Sequence, residues 1–396
     1  MTEQQAVQAS PAELAGVSFG CSCGKTHSVG IQTVTVSKGV AAQVAFFADE
    51  HRGGKPVLLV SDDHTYLAQG EAVAWALKAR GVETLSWCYQ TTGRLVPDEK
   101  AVGELVLASP RSVGLIVAVG SGTLNDLCRI VSDRTGIPYV VVCTAPSVDG
   151  YASTVSPLII QGHKTTLEAV YPRAIFADPD VLRAAPAELL QAGFGDLLGK
   201  VTALADWELA RRLNEEYHCG TIEKMVRRAL EACIAAAAGV AARDPEAVTS
   251  LFDALALSGL AMGMIGNSRP ASGAEHHLSH YWEMDALKNH QAHALHGNAV
   301  GSATVAIARV YELMGDLLPA GFVVPEAQAI RGWLKKAGSA VTPADLGIDR
   351  GLFHKSVLEA MHVRPRFTIL RFAADRGRLA GIADQLTEEF YGRKHP

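Results

Sequence analysis

The chain has 396 residues, is 48% hydrophobic and 19% charged, and carries a formal net charge of −5. That apolar content excludes intrinsic disorder, and the mildly acidic balance argues against a nucleic-acid partner, which needs clustered Lys and Arg. The length exceeds the roughly 250–300 residues that one core supports, so two domains are expected.

In chain order, the opening MTEQQAVQAS lacks the basic-then-apolar layout of a signal peptide. No run of about 18 uninterrupted apolar residues follows, so no membrane span and a cytoplasmic location are expected. Next comes Cys21-Ser-Cys23-Gly-Lys-Thr-His27, which has metal-binding residue types. A structural zinc site takes about four ligands and no second half lies nearby, so a surface loop or strand edge is expected. The seven cysteines are sparse and odd in number, unlike a disulfide scaffold.

Residues 56–180 alternate short apolar runs with amphipathic stretches. Strands are expected at 56–60, 82–87, 113–119 and 138–143, with helices ending near Arg80, Ala108 and Thr135. Continuous apolar strands separated by helices indicate a Rossmann-like parallel sheet covered on both faces, with ligands beyond the strand C-termini. After Ala174-Ile-Phe-Ala-Asp178 the texture turns to Ala/Leu-rich stretches of 3.6-residue period, including 222–242, 245–265, 297–318, 325–337 and 379–391. The expected division is an α/β nucleotide-binding domain over 1–180 and an all-α metal- and substrate-binding domain over 181–396.

Four blocks carry candidate chemistry. Gly120-Ser121-Gly122-Thr123-Leu124 stands between a strand and a helix, where glycines and free N–H groups accept phosphate; the same composition also makes a tight turn. Thr144-Ala145-Pro146-Ser147-Val-Asp149-Gly-Tyr-Ala-Ser153 reads first as a Pro-containing turn with local hydrogen bonds. In Gly193-Phe-Gly195-Asp196, the Asp196 carboxylate shares a helix face with Lys200, an arrangement that ordinary surface ion pairs also show. Finally, six of 14 histidines fall between His276 and His296. His276 and His280 are one turn apart, and imidazoles with a carboxylate suit a divalent ion with positions left open.

In this order the four blocks resemble the iron-containing alcohol dehydrogenase and dehydroquinate synthase superfamily, and within it the glycerol-1-phosphate dehydrogenases. The match covers nearly the whole chain, and the Cys-x-Cys-Gly-Lys-x-His opening resembles the bacterial branch. The resemblance implies a dehydroquinate synthase-like fold, a homodimer, and Asp196, His276 and His296 as ligands of one divalent metal, Zn2+ or Ni2+. It places Asp149, Asp196 and His280 at the substrate, and Gly120, Ser121, Gly122, Thr123, Leu124, Thr144, Ala145, Pro146, Ser147 and Ser153 at the dinucleotide. Two departures stand out. His277 directly follows His276, which opens an off-by-one ligand assignment. Lys200 stands where many alcohol-reducing relatives have histidine.

The implied reaction is reversible NAD(P)H-dependent reduction of dihydroxyacetone phosphate to sn-glycerol-1-phosphate. His280 is the proton-relay candidate, since imidazole titrates near neutrality. Lys200, Arg269 and Lys164 are candidate phosphate holders by position. Asp62 or Asp63, after the first strand, would accept from ribose hydroxyls and favour NADH over NADPH. The alternatives are a glycerol dehydrogenase acting on the unphosphorylated polyol, a dehydroquinate-synthase-like lyase, and a metal-storing or nucleotide-sensing protein without turnover. Against the lyase, the 144–150 block lacks the Gly-Gly-Lys tail those enzymes carry there.

Overall fold

The computed structural model describes residues 1–91 and 93–392. Two short helices, Glu3–Gln8 and Pro11–Leu14, precede an antiparallel hairpin of β1 (Ser18–Gly20) and β2 (Thr26–Ser28). Six strands then build one parallel sheet: β3 (Thr33–Val36), β4 (Val57–Asp62), β5 (Thr84–Tyr89), β6 (Leu115–Gly120), β7 (Tyr139–Cys143) and β10 (Ala174–Ala177). Their order across the sheet is β3-β10-β7-β6-β4-β5. A second hairpin, β8 (Val155–Ile160) with β9 (His163–Glu168), extends from the loop after β7.

The apolar runs make this sheet because every residue of a doubly covered strand must be buried. Alternate residues serve opposite faces. Leu58, Val60, Ile116, Ala118 and Val141 face a core that includes Leu127 and Val131 of the helix Gly122–Thr135. Val57, Leu59, Leu115, Val117 and Val140 face one with Val44 and Ala48 of the helix Ala41–His51. The winding of successive strands across the sheet reverses between neighbouring β4 and β6, and the crevice beyond such a switch point is where α/β sheets bind ligands.

Among the described residues, no strand follows Ala177. The principal helices are Ala187–Leu198, Lys200–Asn214, Gly220–Ala241, Pro245–Ile265, Ala274–Lys288 and His296–Leu313. Pro245–Ile265 starts on an Asp244 side-chain cap with proline in its first turn and stops at Gly266, whose φ is 78°. It is long and apolar enough to cross a membrane, yet 72% of its most apolar window is buried inside the protein, as for a core helix.

The two edge elements β3 and β8–β9 have too little apolar signal to be read from sequence. β9 reads HKTTLE, and β3 is only four residues long. The start of the chain also departs from a simple division at 180. Arg228, on the helix Gly220–Ala241, donates to the carbonyls of Gln8 and Ala9, and Ala6, Leu14 and Phe19 join the same apolar core as Met225 and Leu257.

Candidate active site

The site lies where the ends of β6 and β7 meet helices of the second half. Gly120 pairs with Cys143 in register, so the loops that follow both strands leave the sheet at one level. Ser121 thereby reaches Ser147, with 2.5 Å between the hydroxyl oxygens. Ser121 is also the N-cap of the helix Gly122–Thr135, but its side chain makes no capping bond. The first-turn N–H groups of this helix are left for another acceptor, the arrangement that suits phosphate. A Cβ on Gly120 would come within 2.3 Å of Leu124, so this turn closes only around glycine.

The loop from Thr144 to Ser153 is held from beneath by Arg129, which sequence reasoning passed over. Its side chain is fully buried and donates to the carbonyls of Gly150 (2.6 Å), Tyr151 (3.1 Å) and Val155 (2.8 Å). Tyr151 donates back to the Ala145 carbonyl at 2.6 Å. The signal available in sequence was an arginine inside an otherwise apolar helix face.

Asp196 belongs to the helix Ala187–Leu198, which crosses His296–Leu313 at glycine contacts. A Cβ on Gly193 would meet the Pro146 carbonyl oxygen at 1.8 Å, and one on Gly297 would meet that of Ala192 at 1.8 Å. The Gly-Phe-Gly-Asp motif therefore seats Asp196 simultaneously against the loop after β7 and the start of the His296 helix. Asp196, His276 and His296 offer ligand atoms within 4.8 Å of one another, with Asp196 Oδ1 and His276 Nε2 3.6 Å apart. His276 Nδ1 lies 2.7 Å from Glu275 Oε1, so the N–H of that nitrogen donates to the carboxylate and Nε2 presents its lone pair. Glu275 is itself fixed by the Gly273 N–H at 2.6 Å and the Thr202 hydroxyl at 2.6 Å. His296 Nδ1 is buried without a hydrogen-bond partner among the described residues. This donor set, one carboxylate and two imidazoles, suits a borderline divalent ion such as Zn2+ or Ni2+.

His277 is fully buried with neither ring nitrogen hydrogen-bonded, outside this group, so geometry selects His276. Burial, with Arg366 and Arg364 adding to it, pushes His277 down to about 3. His280 lies beside the group, its ring centre 6.1 Å from that of His276, edge-on, and 5.4 Å from that of His296, tilted. Burial first, then Lys164 and Arg364, hold His280 well below the ordinary imidazole value.

Three expectations need correction. Lys200 is not a free cation for substrate: it is fully buried, and its ammonium donates to the Asp196 carbonyl (2.9 Å), Asp196 Oδ1 (2.9 Å) and Asp149 Oδ2 (2.8 Å). All three of its N–H groups are used. Burial disfavours its charge, but the two carboxylates outweigh that and raise its pKa. Arg269 is likewise committed, paired through two nitrogens to Glu216 and donating to the Phe367 carbonyl at 2.8 Å. Asp62 sits at the C-terminal end of β4 as expected, but one of its oxygens caps the following turn by accepting from Thr65 N at 2.7 Å. Asp63 accepts from Thr91, and Lys164 pairs with Glu283. Asp149 accepts from Ser258 and Lys200 on Oδ2.

The basic residue that sequence reasoning missed is Arg364. It is partly buried, close enough to His280 to affect its titration, and its side chain makes no hydrogen bond or ion pair among the described residues. It falls in a loop 68 residues after His296, outside every motif.

The comparisons with known proteins bear on this geometry. The profile of the iron-containing alcohol dehydrogenase family matches residues 35–186. A Halalkalibacterium halodurans protein named glycerol-1-phosphate dehydrogenase [NAD(P)+] is 36% identical over 380 residues, covering 89% of this chain and 95% of its own. The chain belongs to the glycerol-1-phosphate dehydrogenase family. An archaeal protein of the same name, from Methanosarcina barkeri, is 32% identical over 85% of this chain and 89% of its own. The fold extends to more distant members of the superfamily. An iron-containing alcohol dehydrogenase from Thermococcus thioreducens superimposes with a TM-score of 0.70 at 15% identity, covering 91% of this chain and 99% of that one. A glycerol dehydrogenase from Schizosaccharomyces pombe superimposes with a TM-score of 0.67 at 16% identity, over 91% and 92%. Family membership makes the chain an oxidoreductase.

Proposed function

We propose that the protein catalyses reversible NAD(P)H-dependent reduction of dihydroxyacetone phosphate to sn-glycerol-1-phosphate. The observation that carries this reading is the Asp196–His276–His296 donor set placed beside a phosphate-accepting helix N-terminus, in a chain whose relatives carry that activity in their names. The stereochemistry follows the relatives' names.

In this reading Asp196, His276 and His296 hold a divalent ion, which when bound supplies Lewis-acid polarisation of the substrate carbonyl. Glu275 keeps the His276 tautomer correct, and the Lys200 ammonium holds Asp196 ionised. Gly120 to Leu124, with Thr144 to Ser147 and Ser153, cradle the dinucleotide, whose nicotinamide supplies the hydride. Asp149 Oδ1 accepts a substrate hydroxyl. His280 lies beside the donor set with its ring kept neutral by burial, so it would relay a proton, accepting on one nitrogen and donating from the other, through the substrate hydroxyl or a water. Arg364, near His280, is the phosphate-holding cation; Lys164 lies near His280 too but is paired with Glu283. Asp62, at the end of β4, would accept from the ribose hydroxyls through the oxygen that does not cap Thr65, which would favour NADH. The working unit is a cytoplasmic homodimer, which rests on the family resemblance.

The test is an absorbance assay of the Zn2+- or Ni2+-loaded protein with NADH and NADPH, each against dihydroxyacetone phosphate, dihydroxyacetone and no substrate. Oxidation with the phosphate alone is the expected result. Oxidation with dihydroxyacetone but not the phosphate would overturn the substrate, and no net oxidation with either would overturn the reaction.

A further inference from the structure

A second cluster of ligand-type side chains, separate from the Asp196–His276–His296 group, takes no part in the chemistry above. Cys21 and Cys23 occupy the turn between β1 and β2, His27 is in β2, and Cys219 is the N-cap of the helix Gly220–Ala241. Their four ligand atoms lie within 4.8 Å of one another. The Cys21 and Cys219 sulfurs are 3.6 Å apart, His27 Nε2 is 3.3 Å from the Cys219 sulfur, and it is 3.4 Å from that of Cys23. We propose that these residues form a structural Cys3His zinc site that staples the N-terminal hairpin to the helical half.

Three independent features support this. The first is size. Zinc–sulfur bonds of about 2.3 Å and zinc–nitrogen bonds of about 2.0–2.1 Å, arranged tetrahedrally, place sulfurs about 3.8 Å apart and sulfur from nitrogen about 3.6 Å apart. The observed separations fall close to those edges, and the sulfurs are well beyond the ~2.05 Å of a disulfide. The second is orientation. His27 is buried, and its Nδ1 lies 2.9 Å from the Met264 carbonyl oxygen, which fixes the proton on Nδ1 and turns the Nε2 lone pair toward the three sulfurs. The third is charge. Three thiolates around Zn2+ leave one net negative charge. The Tyr217 hydroxyl, 3.2 Å from the Cys23 sulfur, is placed to donate to a thiolate, and the Lys25 ammonium lies 3.6 Å from the centre of the Tyr217 ring.

Four protein ligands close the coordination shell, which marks a structural rather than a catalytic site, and thiolates select zinc over magnesium or calcium. Each bound zinc displaces thiol protons to solvent with no change of oxidation state. The fourth ligand was invisible in sequence because Cys219 is 192 residues beyond His27.

The test uses the full chain. Cobalt-loaded wild-type protein is expected to show a thiolate-to-cobalt charge-transfer band in the near ultraviolet, which a carboxylate–imidazole site cannot give. His276→Ala, which disables the other donor set, is expected to keep that band and to retain one zinc per chain by elemental analysis. Cys23→Ser is expected to lose the band and to hold zinc at least tenfold more weakly. If that variant does not fold, mercurial titration of the wild type decides instead, since blocking the thiols should release this zinc. No charge-transfer band and no zinc released on thiol blocking would overturn the proposal. So would a Cys21–Cys219 disulfide in non-reducing peptide mapping of protein prepared anaerobically with zinc.

Discussion

A Cβ added to Gly195 would come within 2.3 Å of the Gly297 carbonyl oxygen. The residues next to this contact in sequence are Asp196 and His296, so the closeness of two helix backbones sets the spacing of two metal-type donors. Gly195→Ala is expected to force the helices apart, costing on the order of 1–3 kcal/mol of stability as overpacking does. Metal affinity should fall with it, as read by chelator competition alongside a thermal melt.

Lys200 is a buried cation between two buried carboxylates, and removing one member of such a group strands the others. Lys200→Met is expected to destabilise the protein by about 3–5 kcal/mol, measured by chemical denaturation. Lys200→Met with Asp149→Asn should recover part of that loss, because one uncompensated charge then disappears.

Glu275 acts through His276. Glu275→Leu keeps much of the side-chain size but removes every acceptor for the Nδ1–H. Loss of such an outer partner typically weakens metal binding about 10–100-fold. Equilibrium dialysis against Zn2+ checks this, and an unchanged affinity would mean that the Glu275–His276 bond does not orient a ligand.

Substrate charge recognition separates Arg364 from Arg269. Arg364→Ala is expected to raise KM for dihydroxyacetone phosphate by about 10–100-fold, the equivalent of a lost charge-assisted hydrogen bond of ~1.5–3 kcal/mol. Arg269→Ala should instead lower the melting temperature, since its guanidinium is spent on Glu216 and Phe367. The reverse pattern in steady-state kinetics would return the phosphate to Arg269.

Asp253, partly buried on the helix Pro245–Ile265, is pushed up to about 6 by burial. Its folded pKa lies above the unfolded value near 3.9, so the folded state binds the extra proton between those pH values. Stability attributable to this residue is therefore highest below about pH 4 and is lost as pH rises through 6. Asp253→Asn is expected to stabilise the protein at pH 7.5 by on the order of 1–2 kcal/mol, and to change little at pH 4. Denaturation midpoints at the two pH values decide it.

Much of this molecule was legible in its sequence where one physical demand acts locally. Val57–Asp62 and Leu115–Gly120 announce a doubly covered sheet because both faces must be apolar, and the Ala/Leu periodicity after 181 announces helices. The grouping of Asp196, His276 and His296 came from the resemblance of the motifs that hold them, because spacing alone shows only that His276 and His280 share a helix turn. Lys200 was misread because its spacing to Asp196 shows a shared face but not that Asp149, from the other half of the chain, completes the cage. Arg129, Arg364 and Cys219 were out of reach for the same reason: each owes its role to partners brought near only by the tertiary fold.

Asp149 and Asp196 come from opposite halves of the chain, joined by the Lys200 ammonium and by the Asp149 N–H, which donates to Asp196 Oδ2 at 3.0 Å. Farther out, Lys164 of β9 pairs with Glu283 and Arg94 with Glu188. The Lys200–Asp196 contact is the driest of these, its side chains 0% and 1% exposed. The two halves of the chain are therefore pinned to each other at one dry ionic point, so a change of charge there would act on the seam between them as well as on the donor set.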